Sequence, residues 1–328
     1  MSLNRGEGGL LLPPGGLVNK IINGDMDIWQ RGTSFTNSSS GGYQYTADRM
    51  FVANPAGSGS TTISQSTNTP DNIGYSLSLV STFAAANLQY RIESLDCYDL
   101  IGKTVTLQFQ YYVGDNTGAQ LTLNIYTPTA VDNYAGANNL VGYPQYVDAA
   151  PQSGIWKTAA IQFVVPASAI NGLGFSLSRN NTQGTSVTTL FDRMQLVLGK
   201  TNLAWQRRLY SHEFALCQRY YQADTFHCGG APVSAGVGST AIASNTTVIQ
   251  GHKPLPVAMR VQPTMVFKDL GGNVGTYTFF SNSQTNGNTM SSGGFSAPSN
   301  TFVDMDASTG SAIVTWCRVT YTLSAEIF

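Results

Sequence analysis

The chain is short of charge. Asp, Glu, Lys and Arg make up only 11% of its 328 residues, and 17 cations stand against 18 acids. That is about half the usual share. No basic run exists, so the positive stripe that grips a phosphate backbone is missing and nucleic acid is not an expected partner. Cysteine is scarce: Cys97, Cys217, Cys228 and Cys317 form no CxxC pair and fit no zinc spacing. They read as free, mostly buried thiols of a protein made in a reducing cytosol. Three histidines, His212, His227 and His252, share no metal spacing. There is no GxSxG, no phosphate loop and no acid pair in a glycosidase-like motif, so the chain reads as a non-enzyme. No apolar run approaches the ~20 residues of a membrane span. The Leu10-Leu11-Leu12 run stops at Pro13-Pro14, too short for a signal peptide. Neither membrane insertion nor signal-directed secretion is expected.

What is present points to strands. Hydrophobic residues reach 42%, aromatics 11%, and there are 34 glycines. Many β-branched and aromatic residues stand between small polar ones. Val105 to Tyr111 alternates apolar and polar, and Leu121 to Tyr126 repeats the pattern. The turn cluster Gly114-Asp115-Asn116-Thr117-Gly118 predicts that the two form a hairpin. Ile22 to Ile28 reads as a first strand, and Trp156 to Val165, Leu173 to Leu177 and Leu190 to Leu198 as further ones. The insert Thr127–Ser153, with Tyr134, Tyr143 and Tyr146 among Gly, Asn and Pro, reads as a long binding loop. A helix is expected over 206–222, capped by Ser211 and carrying an apolar stripe of Tyr210, Phe214, Cys217 and Tyr221. Strands resume over 229–328, at Thr240 to Ile249, Ala258 to Val261, Thr264 to Lys268, Gly275 to Phe280, Phe302 to Met305 and Ala312 to Leu323, around a polar loop at Ser281–Ser299 that holds Asn282, Asn286 and Asn288. No internal repeat is found, so a coil-repeat β-helix is not supported. The predicted class is all-β: an N-terminal arm over 1–19, a jelly-roll sandwich over 20–205, a connecting helix over 206–228 and a C-terminal β-sandwich over 229–328.

Several segments carry a resemblance. Ile22-Asn23-Gly24-Asp25-Met26-Asp27-Ile28-Trp29-Gln30-Arg31-Gly32 is followed by Tyr45-Thr46-Ala47-Asp48-Arg49, and Ala215-Leu216-Cys217-Gln218-Arg219-Tyr220-Tyr221-Gln222 lies further on. Pro254 to Thr264 and the closing Arg318 to Phe328 add to these. They resemble segments of bacteriophage tail-fibre, tailspike and other virion structural proteins, in which the first opens a jelly roll similar to carbohydrate-binding modules. The resemblance covers about 20–49, 186–268 and 310–328. It implies a phage structural protein carried on the particle surface and released by lysis. It also implies a homotrimer, with residues 1–19 docking on other virion proteins.

The resemblance further implies that acids of the first and last jelly-roll strands, here Asp25 and Asp192, meet around a structural calcium. Calcium needs about six to eight oxygen ligands. Arg193 stands where the family often has a second acid, and could instead bridge Asp25 internally. Asp48-Arg49 reads as a buried pair that fixes its strand, with sugar binding as the alternative. Aromatic side chains are the usual platforms for sugar rings. Trp29, Tyr43, Tyr45, Tyr111, Tyr112 and Tyr126 are candidates, and the loop residues Tyr134, Tyr143 and Tyr146 the preferred ones. Three functions stay open: a receptor-binding tail subunit that attaches to host surface glycan, a capsid decoration or head fibre without receptor role, and a cellular carbohydrate-binding module.

Overall fold

The structure, a computed structural model, describes residues 19–83, 85–115, 119–142, 145–180, 186–199, 204–229, 240–245, 248–269, 271–275, 277–281, 288–290, 294–295, 299–308 and 314–327. It is an all-β protein whose strands build two compact units. The first takes the chain through Asp27, Gly32–Arg208 and Ile327. The second takes Ile28–Arg31 and Leu209–Glu326. The expected arm over 1–19 lies, except for Asn19, outside the described residues.

The first unit packs two sheets. One runs, in spatial order, β1 (Ser34–Asn37), β4 (Thr61–Ser66), β5 (Ser76–Ser81), β13 (Val187–Leu198), β7 (Thr104–Val113) and β11 (Trp156–Val164). The other runs β10 (Gln145–Asp148), β8 (Gln120–Ala130), β12 (Leu173–Asn180), β6 (Asn87–Ile92), β3 (Phe51–Ala53) and β2 (Tyr43–Tyr45), with β9 (Asn133–Leu140) also on β8. All pairings in both sheets are antiparallel. Successive side chains on a strand point to opposite faces. Val105, Leu107, Phe109, Tyr111 and Val113 therefore share one face of β7, and all are buried. Phe109 meets Phe191 of β13 with ring centroids 6.5 Å apart. Leu88, Tyr90, Leu123, Ile125, Phe175 and Leu177 of the second sheet are equally buried. Each such side chain contributes about 1.5–3 kcal/mol by leaving water.

Three local expectations are corrected here. The turn cluster at 114–118 does not close a hairpin: β7 pairs with β13 and β11 in one sheet, β8 with β12, β10 and β9 in the other. Alternation alone cannot tell whether two successive strands pair with each other or lie in different sheets. The insert 127–153 is no open loop, because it holds the end of β8, β9 and β10. Residues 22–28 are not a strand but a turn and an extended run with Ile22, Met26 and Ile28 buried. Their backbone runs beside β13, where Lys20 N–H donates to Leu196 O (3.1 Å) and Met194 N–H to Gly24 O (2.8 Å).

The second unit holds a five-stranded and a four-stranded sheet. The first joins β14 (Tyr221–Gly229), β22 (Val314–Ser324), β18 (Tyr277–Ser281), β19 (Asn288–Met290) and β17 (Thr264–Lys268). The second joins β15 (Thr240–Asn245), β16 (Val248–Pro254), β21 (Phe302–Ser308) and β20 (Gly294–Phe295). A short α1 (Ser94–Cys97) and a 3-10 turn (Ala167–Asn171) belong to the first unit, and α2 (Tyr210–Gln218) to the second. The helix predicted over 206–222 is nine residues long. Leu209, not Ser211, is its N-cap, with no side-chain cap bond. Of the expected stripe, Cys217 is buried while Tyr210 is 61% exposed, and Tyr221 already belongs to β14. The strand expected at 258–261 is absent. Cys97 and Cys217 are buried and outside any disulfide. Cys228 and Cys317 are opposite positions in the β14–β22 ladder.

Candidate functional site

The side of the first sheet that faces away from the core is polar and carries rings. Cross-strand partners in an antiparallel pair share a face. Tyr112 pairs with Trp156, Gln110 with Thr158 on one side and Asp192 on the other, all opposite in sense to Phe109 and Tyr111. Trp156 and Tyr112 are tilted neighbours with centroids 5.6 Å apart, both half-buried. Gln110 Nε2 donates to Thr158 Oγ1 at 3.3 Å, and Gln110 Oε1 has no hydrogen-bond partner. The 67–75 connection between β4 and β5 folds over this face, and Trp156 Nε1 donates to Asn68 Oδ1 at 3.0 Å.

Beside this strip lies an open pocket of about 140 Å³, lined by Asp25, Asp27, Asp71, Ile73, Asp192, Arg193, Trp205 and Arg207. Four separate segments build it. Asp25 and Asp27 follow the Asn23-Gly24 turn, where Gly24 is required: a Cβ there would lie 2.0 Å from Met194 O and 3.0 Å from the Trp205 ring. Asp71 and Ile73 come from the 67–75 connection. Asp192 and Arg193 sit at a bulge in β13, where the register to β7 shifts between Asp192 and Gln195. Arg193 there has φ 51°, and Asn23, Met26 and Asn72 around the pocket are also left-handed, at 57°, 54° and 59°. Such backbone costs energy for residues with a Cβ and collects at functional sites. Trp205 and Arg207 come from the segment after β13.

Charge in the pocket is paired. Arg207 Nε lies 3.4 Å from Asp25 Oδ2, and the Arg207 Nη2 donates to Asp27 Oδ2. Asp27 Oδ1 also accepts the Tyr75 N–H at 3.1 Å. Arg193 Nη2 pairs with Asp71, and its backbone N–H donates to Asp192 Oδ1 at 2.7 Å. Arg193 Nε stands 3.9 Å from Asp192 Oδ2. Asp192 is only 2% exposed. Burial pushes its carboxyl up to about 8, against the pull of the Arg193 N–H and guanidinium, and the nearby Asp25 and Asp27 push the same way as burial. Burial also opposes ionisation of Asp71, yet the Arg193 guanidinium holds that carboxyl below its ordinary value.

Asp25 and Asp192, the acids expected to share calcium, do line one pocket. Asp25 is bridged by Arg207, whereas Arg193, the alternative partner, goes to Asp71 and Asp192. Among the described residues no three His, Cys, Asp or Glu side chains gather as metal ligands. The carboxylate oxygens of Asp25, Asp27 and Asp71 are engaged by guanidinium groups.

The expected aromatic platforms fare differently. Tyr134 is not a loop ring: it is 3% exposed on β9, its hydroxyl donates to Ile92 O at 2.9 Å, and it packs edge-on to Tyr126. Packing, not exposure, explains that tyrosine. Tyr143 lies outside the described residues, as do Asn282 and Asn286. Tyr146 pairs with Thr122 in the β10–β8 ladder. Trp29 is half-buried in the second unit. Beside it, Gln30 Nε2 donates to Tyr221 O (3.0 Å), and Arg31 stacks on Tyr221 (3.6 Å) and pairs with Glu326 (2.9 Å). These contacts tie Gln30 and Arg31 to Tyr221 and Glu326. Asp48 and Arg49 are buried, and Arg49 Nη2 donates to Arg91 O at 2.6 Å.

Trp156, Trp205, Asp71 and Arg207 escaped the sequence reading, which favoured rings in loops. The β7 alternation was the available signal: with Tyr111 inside, Tyr112 and its partner must face out.

No protein-family model matches the chain, and no curated protein matches it. Among solved structures, the enzymatically active domain of bacteriophage CBA120 tailspike protein 4 is 16% identical over 55% of this chain and 21% of that one, with a TM-score of 0.36. The CBM22-1 xylan-binding domain from Paenibacillus barcinonensis is 14% identical over 54% of this chain and 93% of that one, at 0.33. The C-terminal family 22 carbohydrate binding module of Clostridium thermocellum Xyn10B is 12% identical over 50% and 99%, at 0.35. These are likenesses at low identity, and the functional argument rests on the side chains of the pocket.

Proposed function

We propose that this protein binds glycan without catalysis, as a tail-fibre or receptor-binding subunit of a phage particle that attaches to host surface sugar. The observation that carries the reading is the pocket of Asp25, Asp27, Asp71, Arg193, Arg207 and Trp205 beside the Trp156–Tyr112 pair. A sugar presents an apolar ring face and a rim of hydroxyls. Indole and phenol rings stack on the first, while fixed carboxylates and guanidinium groups accept from and donate to the second. Asp25 and Asp27 are engaged by Arg207 and Asp71 by Arg193, which suits binding. The virion assignment is supported by the resemblance of the segments at 22–32, 45–49, 215–222 and 254–264. Assembly as a homotrimer and anchoring through residues 1–19 belong to the same proposal.

Two measurements test it. A glycan array probed with the full chain should give hits that disappear with Trp156→Ala. Immunogold labelling of intact particles should mark tail tips or fibres. Label over the head would move the protein to capsid decoration. Label on no particle would refute the virion assignment, leaving a carbohydrate-binding module if the array is positive.

A further inference from the structure

We propose that the acidic pocket of this protein is held together without a divalent cation, because Arg193 and Arg207 supply its two positive charges internally, and that removing either guanidinium turns the pocket into a divalent-cation site. The inference stands apart from glycan binding, since it concerns what keeps the carboxylates together.

The pocket gathers Asp25, Asp27, Asp71 and Asp192 from three segments distant in sequence. Asp25, Asp27 and Asp71 so placed repel one another and need a counter-charge, while burial keeps Asp192 protonated up to about 8. A divalent ion would do so by drawing on about six to eight oxygens at once. Here the oxygens already face nitrogen. Arg207 spans Asp25 and Asp27, and Arg193 spans Asp71 and Asp192. Each planar guanidinium offers five N–H groups in a fixed fork, so it can bridge two acids as a metal would. Two such groups carry the charge of one divalent ion.

Both arginines are held in place by the fold. Arg193 stands in left-handed backbone (φ 51°) at the β13 bulge, which turns it out of the ladder. Arg207 is two residues beyond Trp205, whose ring packs at Gly24 in the turn that precedes Asp25. The carbonyl of Gly24, an obvious further oxygen for a metal, instead accepts the Met194 N–H at 2.8 Å. A hard cation entering this pocket would have to displace both guanidinium groups from their carboxylates.

The test uses the full chain, stripped with a chelator and then given calcium or terbium alone. Trp205 lines the pocket and would sensitise terbium emission from an ion bound there. The native protein should show no calcium-dependent change in Tm and no saturable terbium emission. Arg207→Gln and Arg193→Gln, which keep a side chain of similar reach, should acquire saturable terbium emission that calcium displaces. With calcium well above its Kd their Tm should rise by roughly 5–10 °C. Arg207→Lys, which keeps the charge, should stay metal-free. Stoichiometric terbium binding by the native chain would overturn the proposal, whatever the variants do. So would folded glutamine variants that gain no metal response.

Discussion

Two Arg–Asp assemblies in the first unit use the same chemistry and differ in enclosure. Arg179 and Asp115 form a closed clamp: two parallel bonds of 2.7 and 2.9 Å, with Arg179 also donating to Thr188 O and Ala119 O, and Thr188 N–H donating to Asp115 at 2.5 Å. The Arg179 side chain is 2% exposed. Four of the five guanidinium N–H donors are spent on these partners, so the clamp holds β12 to Asp115, just beyond β7. Around the pocket, Arg207 is 51% exposed and Asp71 43%, and the ion pairs face open volume. The same residue types are structural where they are sealed and available to a ligand where they are not. The comparison turns on water access, not on residue identity.

The largest break of that comparison comes on the sealed side. Arg179→Ala leaves the half-buried Asp115 without its guanidinium and should cost about 3 kcal/mol, read by chemical denaturation. A loss under 1 kcal/mol would mean that the clamp is no more than a surface pair.

The Asp192 carboxyl gives the next effect. In the folded chain it keeps its proton up to about 8, whereas an ordinary aspartate loses it near 3.8. Between those values the folded state binds the extra proton, so stability falls as pH rises, by at most about 1.4 kcal/mol per pH unit. Asp192→Asn should flatten that slope in Tm measured against pH. An unchanged slope would show that Asp192 is ionised when folded.

At the small end, Lys20 pairs with the 62% exposed Asp99 at 2.9 Å. Lys20→Ala should change stability by about 0.5 kcal/mol or less. A larger loss would mean that exposure does not set the value of these pairs.

The strands were readable where alternation was long and one face dry. Thr264–Lys268 was predicted with those bounds, and Trp156–Val164 and Val187–Leu198 came close. Topology was not readable. The turn residues at 114–118 state only that the chain reverses; which sheet receives the next strand depends on long-range pairing that leaves no local trace. The helix was overdrawn because the Tyr220-Tyr221 pair fits a helical stripe as well as the edge of β14. Two of the four acids of the pocket were visible, since the resemblance singled out Asp25 and Asp192. Asp71, Trp205 and Arg207 were not, because a loop that folds over a sheet and a segment that returns beside a turn leave no periodic trace. Tyr134 shows the converse: glycine and asparagine neighbours suggested a loop, while the ring is core.

The most direct test of the glycan-binding reading is calorimetric titration of a glycan identified on the array into three proteins: native, Trp156→Ala and Tyr134→Phe. The pocket account predicts that Trp156→Ala weakens binding by about thirtyfold, the loss of ~2 kcal/mol typical of a buried aromatic anchor. Tyr134→Phe, which alters only a hydroxyl bonded to Ile92 O, should bind as the native chain does. Native-like binding by Trp156→Ala together with loss in Tyr134→Phe would contradict the account and return the site to the 127–153 segment.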